Sequence, residues 1–222
     1  MSTMHMPQTK PSASWRDDKA PSRRPQSPVE SFRFPYYQRL NQRRLEHLAS
    51  LGLELTDRRV LEVGAGVGDL TTFWLDRGCA VHSTDARPEH VEILRSTFSG
   101  DERFSAGALD LDNPGDAGGE PYDIVFCYGL LYHLRDPLRG LEFMSRACAG
   151  MLLVETCVSM GEGEAINSVS EDHMVFSQAV SGQGCRPTRA WVFARLRERF
   201  PHVYCPRTQP THEEFPLDWS KP

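Results

Sequence analysis

At 222 residues the chain can bury the core of one α/β domain and still carry an appendage, and its formal net charge of -5 at pH 7 counts against a general nucleic-acid binder, which needs a basic face for phosphate. The six cysteines stand singly, with no Cys-x-x-Cys pair and no clustered ligand set for zinc, so reduced thiols and no metal are expected. No run approaches the roughly 20 apolar residues of a membrane span, and the polar start is unlike a signal peptide, so a cytoplasmic protein without membrane contact is the expectation.

Residues 1–30 concentrate prolines and serines around Arg16, Lys19, Arg23 and Arg24. So little apolar surface cannot offset the entropy of ordering, and a disordered arm is expected. Residues 31–222 then read as one domain, opening with a helical cap over 31–57. Its aromatic cluster (Phe32, Phe34, Tyr36, Tyr37) is expected to pack on the domain or over its cleft, with Tyr36 and Tyr37 as candidate substrate contacts. Leu40, Leu45, Leu48 and Leu51 recur near helical spacing until Gly52, and Arg39, Arg43 and Arg44 read as the solvated face of that helix.

Residues 58–158 alternate strand and helix. Apolar runs at 60–63, 79–84, 104–109, 122–128 and 151–158 read as strands, and the segments 69–77, 88–100 and 137–149 as helices. Strands apolar on both faces, separated by helices, argue for an α/β fold: a doubly wound, mostly parallel sheet wrapped by helices. The first strand runs into Gly64, Gly66 and Gly68, a tight turn that lets a ligand approach the main chain and the N–H groups beyond it.

Two cofactors compete for that turn. A dinucleotide site wants Gly-x-Gly-x-x-Gly, but Asp69 stands where the third glycine would fall, and Glu62 just ahead of the turn would repel a pyrophosphate. Asp85 ends the second strand, where a carboxylate can accept from both hydroxyls of a ribose, and Asp110 follows the third strand. Carboxylates around the crevice suit a cationic adenosine cofactor better than NAD.

With these landmarks the chain resembles the class I S-adenosylmethionine-dependent methyltransferases of the small-molecule type. The resemblance rests on Glu62-x-Gly64-Ala65-Gly66-x-Gly68, on Asp85 ending the second strand, on Tyr122 to Cys127 before the cleft, and on Gly129-Leu130-Leu131-Tyr132-His133 after the fourth strand. It covers about residues 58–158, the cofactor-binding core, and implies a Rossmann-like fold with S-adenosyl-L-methionine as cofactor. Carried over by position, it implies that Glu62, Gly64, Ala65, Gly66 and Gly68 surround the methionine part and that Asp85 binds the ribose. Ala86 and Arg87 would lie beside the adenine, Asp110 and Leu111 would meet its amine and face, and Cys127, Tyr128 and Gly129 would line the floor beneath the sulfonium. A methyl acceptor that must lose a proton needs a base. His133 is the candidate catalytic residue, with Tyr132 and Glu155 as weaker ones.

Residues 159–188 lack steady periodicity and follow the fifth strand at the cleft end of the sheet, so they are expected to form a lid over substrate. Arg186 and Arg189 are candidate contacts to an anionic acceptor, with Thr188 as the cap of a helix over 190–200. Residues 202–205 can form a sixth strand, but Pro206, Pro210 and Pro216 follow, and no apolar run remains for the antiparallel partner that the family carries. The C-terminal strand pair is therefore expected to be incomplete within 189–222. Amide-methylase, cytosine-C5 and catechol-metal motifs are absent, which favours a small-molecule acceptor such as a sugar or secondary metabolite. A wobble-uridine carboxymethyl-transferring family has a related Gly-x-Leu-Tyr-His segment, which keeps tRNA modification as a second reading and a silent partner-binding domain as a third. Nothing in the sequence assigns an oligomeric state.

Overall fold

A computed structural model describes residues 27–117 and 119–215 of the chain. Five parallel strands, β1 (Arg59–Val63), β2 (Ala80–Asp85), β3 (Phe104–Ala108), β4 (Tyr122–Tyr128) and β5 (Cys148–Glu155), lie in the order β3-β2-β1-β4-β5. The order reverses between β1 and β4, which opens a crevice at the carboxyl ends of those strands. The expected doubly wound sheet is present.

Strand periodicity divides the apolar residues between two cores. Val60, Ile124 and Phe126 face a layer holding Leu48 of α2 (Pro35–Ser50) and Trp74 of α3 (Thr71–Leu75). Leu61, Val63, Val125 and Cys127 face the other layer, with Leu141 and Met144 of α5 (Pro137–Ala147) and Trp191 of α6 (Arg189–Arg197). Alternate residues of one strand thus serve opposite faces, as the pleat requires. The remaining helices are α1 (Pro28–Phe32) and α4 (Pro88–Thr97), and a 3-10 turn spans Leu131–His133.

Four expectations change. Residues 27–30 are not arm: the Ser27 side chain accepts from the Glu30 N–H and caps α1, while residues 1–26 of the expected arm lie outside the described residues. The helix expected over 69–77 is α-helical only over Thr71–Leu75, because Gly64, Gly66 and Gly68 all take positive φ and the turn runs on to Leu70. The expected lid is a hairpin: β6 (Ile166–Ser170) pairs antiparallel with β7 (Gln183–Pro187), and residues 171–182 form its long connection. Its strands are too polar and too short for an alternation to stand out. Residues 202–205 form no strand: Pro201 and Pro206 flank them, and Tyr204 is 85% exposed. Among the described residues, no helix is long and apolar enough to cross a membrane and no group of acidic, His and Cys side chains is placed to hold a metal. All six cysteines are free.

Candidate active site

The glycine turn forms one wall of a cavity of about 280 Å³ at the crevice, near the low end for small-molecule sites. Gly64 takes φ +68°, and a Cβ there would stand 2.8 Å from the Leu130 side chain, so the turn and the end of β4 close on each other only because residue 64 is glycine. Gly64 and Ala65 line the cavity. Gly66 and Gly68 do not. The Gly66 N–H donates to Asp85 Oδ2 at 2.9 Å, and a Cβ on Gly66 would stand 3.0 Å from the Phe32 ring. A Cβ on Gly68 would stand 2.6 Å from Phe98 and 2.9 Å from Leu94, so that glycine serves the packing of α4.

Glu62 likewise does not line the cavity. It is 2% exposed, behind the turn, and its Oε2 accepts from Thr71 and Ser83 hydroxyls at 2.6 Å each. Burial pushes its carboxyl up to about 7, against the lowering effect of those two hydroxyls. Its role is to tie β1 to β2 and to the start of α3.

The remaining expected cofactor residues divide. Asp85 lines the cavity with both oxygens held: Oδ2 by Gly66, and Oδ1 by the Arg87 N–H at 2.9 Å, with His90 Nδ1 3.0 Å away. Ala86, Asp110, Leu111, Tyr128 and Gly129 also line it. Arg87 lines it too, but its guanidinium reaches up to the hairpin connection and donates to the carbonyls of His173, Val175 and Gln178 at 2.8, 3.2 and 3.3 Å. Cys127 is fully buried in the α5-side core, where burial pushes its thiol up to about 12; it is not floor.

The helical cap supplies residues that the sequence reading missed. Arg44 was expected in solvent and is 4% exposed. Tyr36, Leu40, Arg44 and Leu48 follow one another at intervals of four, so they share the buried stripe of α2, and that spacing was the available signal. Arg44 donates to Asn41 Oδ1 at 3.0 Å and stands 2.8 Å from Glu155 Oε2. Burial alone would lower its guanidinium, but Glu155 together with Tyr37 and Tyr132 raises it, so Arg44 stays cationic. Burial raises the hydroxyls of Tyr37, Tyr128 and Tyr132 around this pair and keeps them protonated. Phe32, Tyr37, Asn41 and Arg44 all line the cavity. Tyr36 does not: its hydroxyl donates to Glu214 and its ring packs edge-on against His212.

Several side-chain atoms of cavity-lining residues, among them both ring nitrogens of His90, are buried without a hydrogen-bond partner among the described residues, and two of these atoms belong to side chains of opposite charge. Asp69 Oδ2 and Arg44 Nε are buried without a partner among the described residues, and both side chains belong to residues lining the cavity.

The loop 176–181 roofs the cavity. Phe176 packs on His90, whose ring also meets Phe32 edge-on. His133 lines the cavity with Nδ1 2.5 Å from Glu171 Oε2. Tyr132 stacks behind His133, with ring centroids 4.2 Å apart, and is placed outside the cavity wall. Arg186 and Arg189 are outside it as well. The Arg186 guanidinium donates to the carbonyls of Tyr132 and Cys185, and Arg189 begins α6.

Comparison with known proteins points to methyltransferases. Residues 61–150 match the family model described as a methyltransferase domain. The chain is 36% identical over 171 residues to a ubiquinone biosynthesis O-methyltransferase of Xanthomonas euvesicatoria pv. vesicatoria, covering 74% of this chain and 62% of that protein. It is 29% identical over 134 residues to a tRNA U34 carboxymethyltransferase of Dichelobacter nodosus, covering 58% of this chain and 42% of that one. The chain thus spans less than two thirds of either relative. Among solved structures, the N-terminal domain of EvdMO1 with S-adenosylhomocysteine bound aligns at 25% identity with a TM-score of 0.57, covering 72% of this chain and 70% of that one.

Proposed function

The chain carries a class I S-adenosylmethionine-dependent methyltransferase domain, and from that premise we propose that it transfers the cofactor's methyl group to a small-molecule acceptor inside the roofed cavity. The observation that carries this reading is the charge pattern of the cavity. Asp85 at the end of β2 offers a carboxylate to ribose hydroxyls, and Asp69 and Arg44, which also line the cavity, carry charges that suit the ammonium and carboxylate of the methionine end. Leu109 and Leu111, which also line the cavity, offer an apolar face for the adenine.

The bound cofactor supplies a methyl group on a sulfonium, which an in-line lone pair of the acceptor captures as the C–S pair returns to sulfur. The protein's part is alignment and exclusion of water. Loop 176–181 and the cap residues Phe32 and Tyr37 enclose the cavity, which favours an acceptor small enough to enter it. Similarity to a tRNA U34 carboxymethyltransferase supports a nucleic-acid acceptor as the second reading.

Titration calorimetry with S-adenosylhomocysteine tests the cofactor half. Binding is expected, and Asp85→Ala should weaken it about 100-fold, the scale of losing charge-assisted bonds to two hydroxyls. No heat at millimolar cofactor would overturn the reading. Labelled methyl transfer into a cell extract then tests the acceptor. Label in the small-molecule fraction is expected, and label confined to RNA would select the second reading.

A further inference from the structure

His133 and Glu171 lie 38 residues apart and come from different elements, the 3-10 turn after β4 and the start of the hairpin connection, yet they meet at 2.5 Å. Glu171 is held in place from several sides. Its side chain is 5% exposed, its Oε2 also accepts from the Ala179 N–H at 2.8 Å, and its Oε1 stands 3.6 Å from Arg186 Nη1. Burial alone would raise its carboxyl, but His133, the Ala179 N–H and Arg186 together hold it below the usual carboxylate range. Gly184 of β7 makes the approach possible: a Cβ there would stand 2.5 Å from Glu171 Oε1 and 2.6 Å from the Tyr132 carbonyl.

An ionised carboxylate can only accept, so His133 must donate through Nδ1–H. When the ring is neutral, that donation leaves Nε2 bare, and Nε2 has no partner among the described residues although His133 lines the cavity. We propose that Glu171 is a positioning residue that keeps the His133 proton on Nδ1, so that Nε2 takes the proton of a hydroxyl acceptor as it is methylated. The inference rests on the methyl-transfer reading above and narrows its acceptor to an O–H group.

The step balances. The O–H bond breaks and leaves its electron pair on oxygen, an oxygen lone pair forms the new bond to carbon while the C–S bond breaks with its pair going to sulfur, and the proton resides on Nε2 until water removes it. The imidazolium formed meanwhile is neutralised by the Glu171 carboxylate. Because Glu171 and Ala179 both belong to the hairpin connection, the base is set only while the roof is in place.

Imidazole nitrogen spectra of the S-adenosylhomocysteine complex test the pairing without an identified acceptor, with His133→Asn assigning the signal. His133 is expected as the Nδ1–H tautomer, and Glu171→Gln should shift population toward Nε2–H. The rate of labelled methyl transfer to the small-molecule fraction of a cell extract should fall about 100-fold or more in His133→Asn and roughly 10-fold in Glu171→Gln. Glu171→Asp should restore part of that loss. A wild-type His133 carrying its proton on Nε2, or undiminished transfer by His133→Asn, would overturn the proposal. Wild-type protein that binds no S-adenosylhomocysteine would instead overturn the methyl-transfer reading.

Discussion

The cavity has a base and a roof, and they are built differently. The base comes from consecutive strand ends, with the glycine turn, Asp85, Asp110 and Tyr128 each carried by a buried strand or the turn that follows it. The roof comes from α1, α2 and the 171–182 connection, which are remote in sequence and meet the base through side chains. Phe32 and Phe176 clasp His90, Arg87 holds three carbonyls of the connection, and Glu171 holds His133. Backbone ladders and apolar burial hold the base, so it is as stable as the sheet. Apolar burial also ties α2 to the sheet, whereas a handful of polar and aromatic contacts hold the 171–182 connection, so that part of the roof can open while the sheet stays folded.

Substitutions that strike one region and spare the other would sharpen this contrast. The largest effect is expected from Gly68→Ala, in the base. Residue 68 takes φ +86°, and the new Cβ would meet Phe98 and Leu94 well inside contact distance. Strain and overpacking together should cost about 2–4 kcal/mol, read as a lower urea midpoint with an unchanged slope. A shift below about 0.5 kcal/mol would mean that α4 is free to move aside.

Glu62 adds a pH signature that belongs to the base alone. Its folded-state carboxyl is raised from 4.5 to about 7, so between those values the folded protein holds a proton that the unfolded chain has released. Stability therefore falls as pH rises through that window, by on the order of 3 kcal/mol. Urea unfolding of wild type and Glu62→Gln across the window isolates this contribution, because the variant should lack it. Parallel pH dependences for the two proteins would remove Glu62 as its source.

Arg87→Ala strikes the roof. Losing bonds to three carbonyls at the solvent rim should cost only about 1–1.5 kcal/mol globally. Amide exchange should rise sharply over 171–182 while β1 and β4 keep their protection. Equal loss of protection in the sheet would make roof and base one cooperative unit. The smallest effect is expected from Arg33→Ala. Its bridge to Asp69 Oδ1 at 3.1 Å is largely exposed, so thermal unfolding should register about 0.5 kcal/mol or less.

How much could be read in advance follows the same division. The strands, their parallel order and the Asp85 carboxylate were legible because each depends on a local pattern: an apolar run, a glycine turn, an acidic residue at a strand end. Within the turn, sequence spacing could not separate Gly64, which faces the cavity, from Gly68, which faces Phe98, since both need positive φ. Glu62 and Cys127 were drawn toward the ligand by their position in the motif, while the pleat turns their side chains into the interior.

The sequence by itself determined the parallel sheet and the glycine turn at the end of its first strand, because these follow from the periodicity and chemistry of adjacent residues. Only the tertiary structure decided that Arg44 is buried beside Glu155, that Arg87 serves the roof and that Glu171 meets His133. These contacts join segments far apart in the chain. Nothing in either segment alone signals its partner, because the distance between them is set by how the α2 cap and the β6–β7 hairpin fold back over the strand ends.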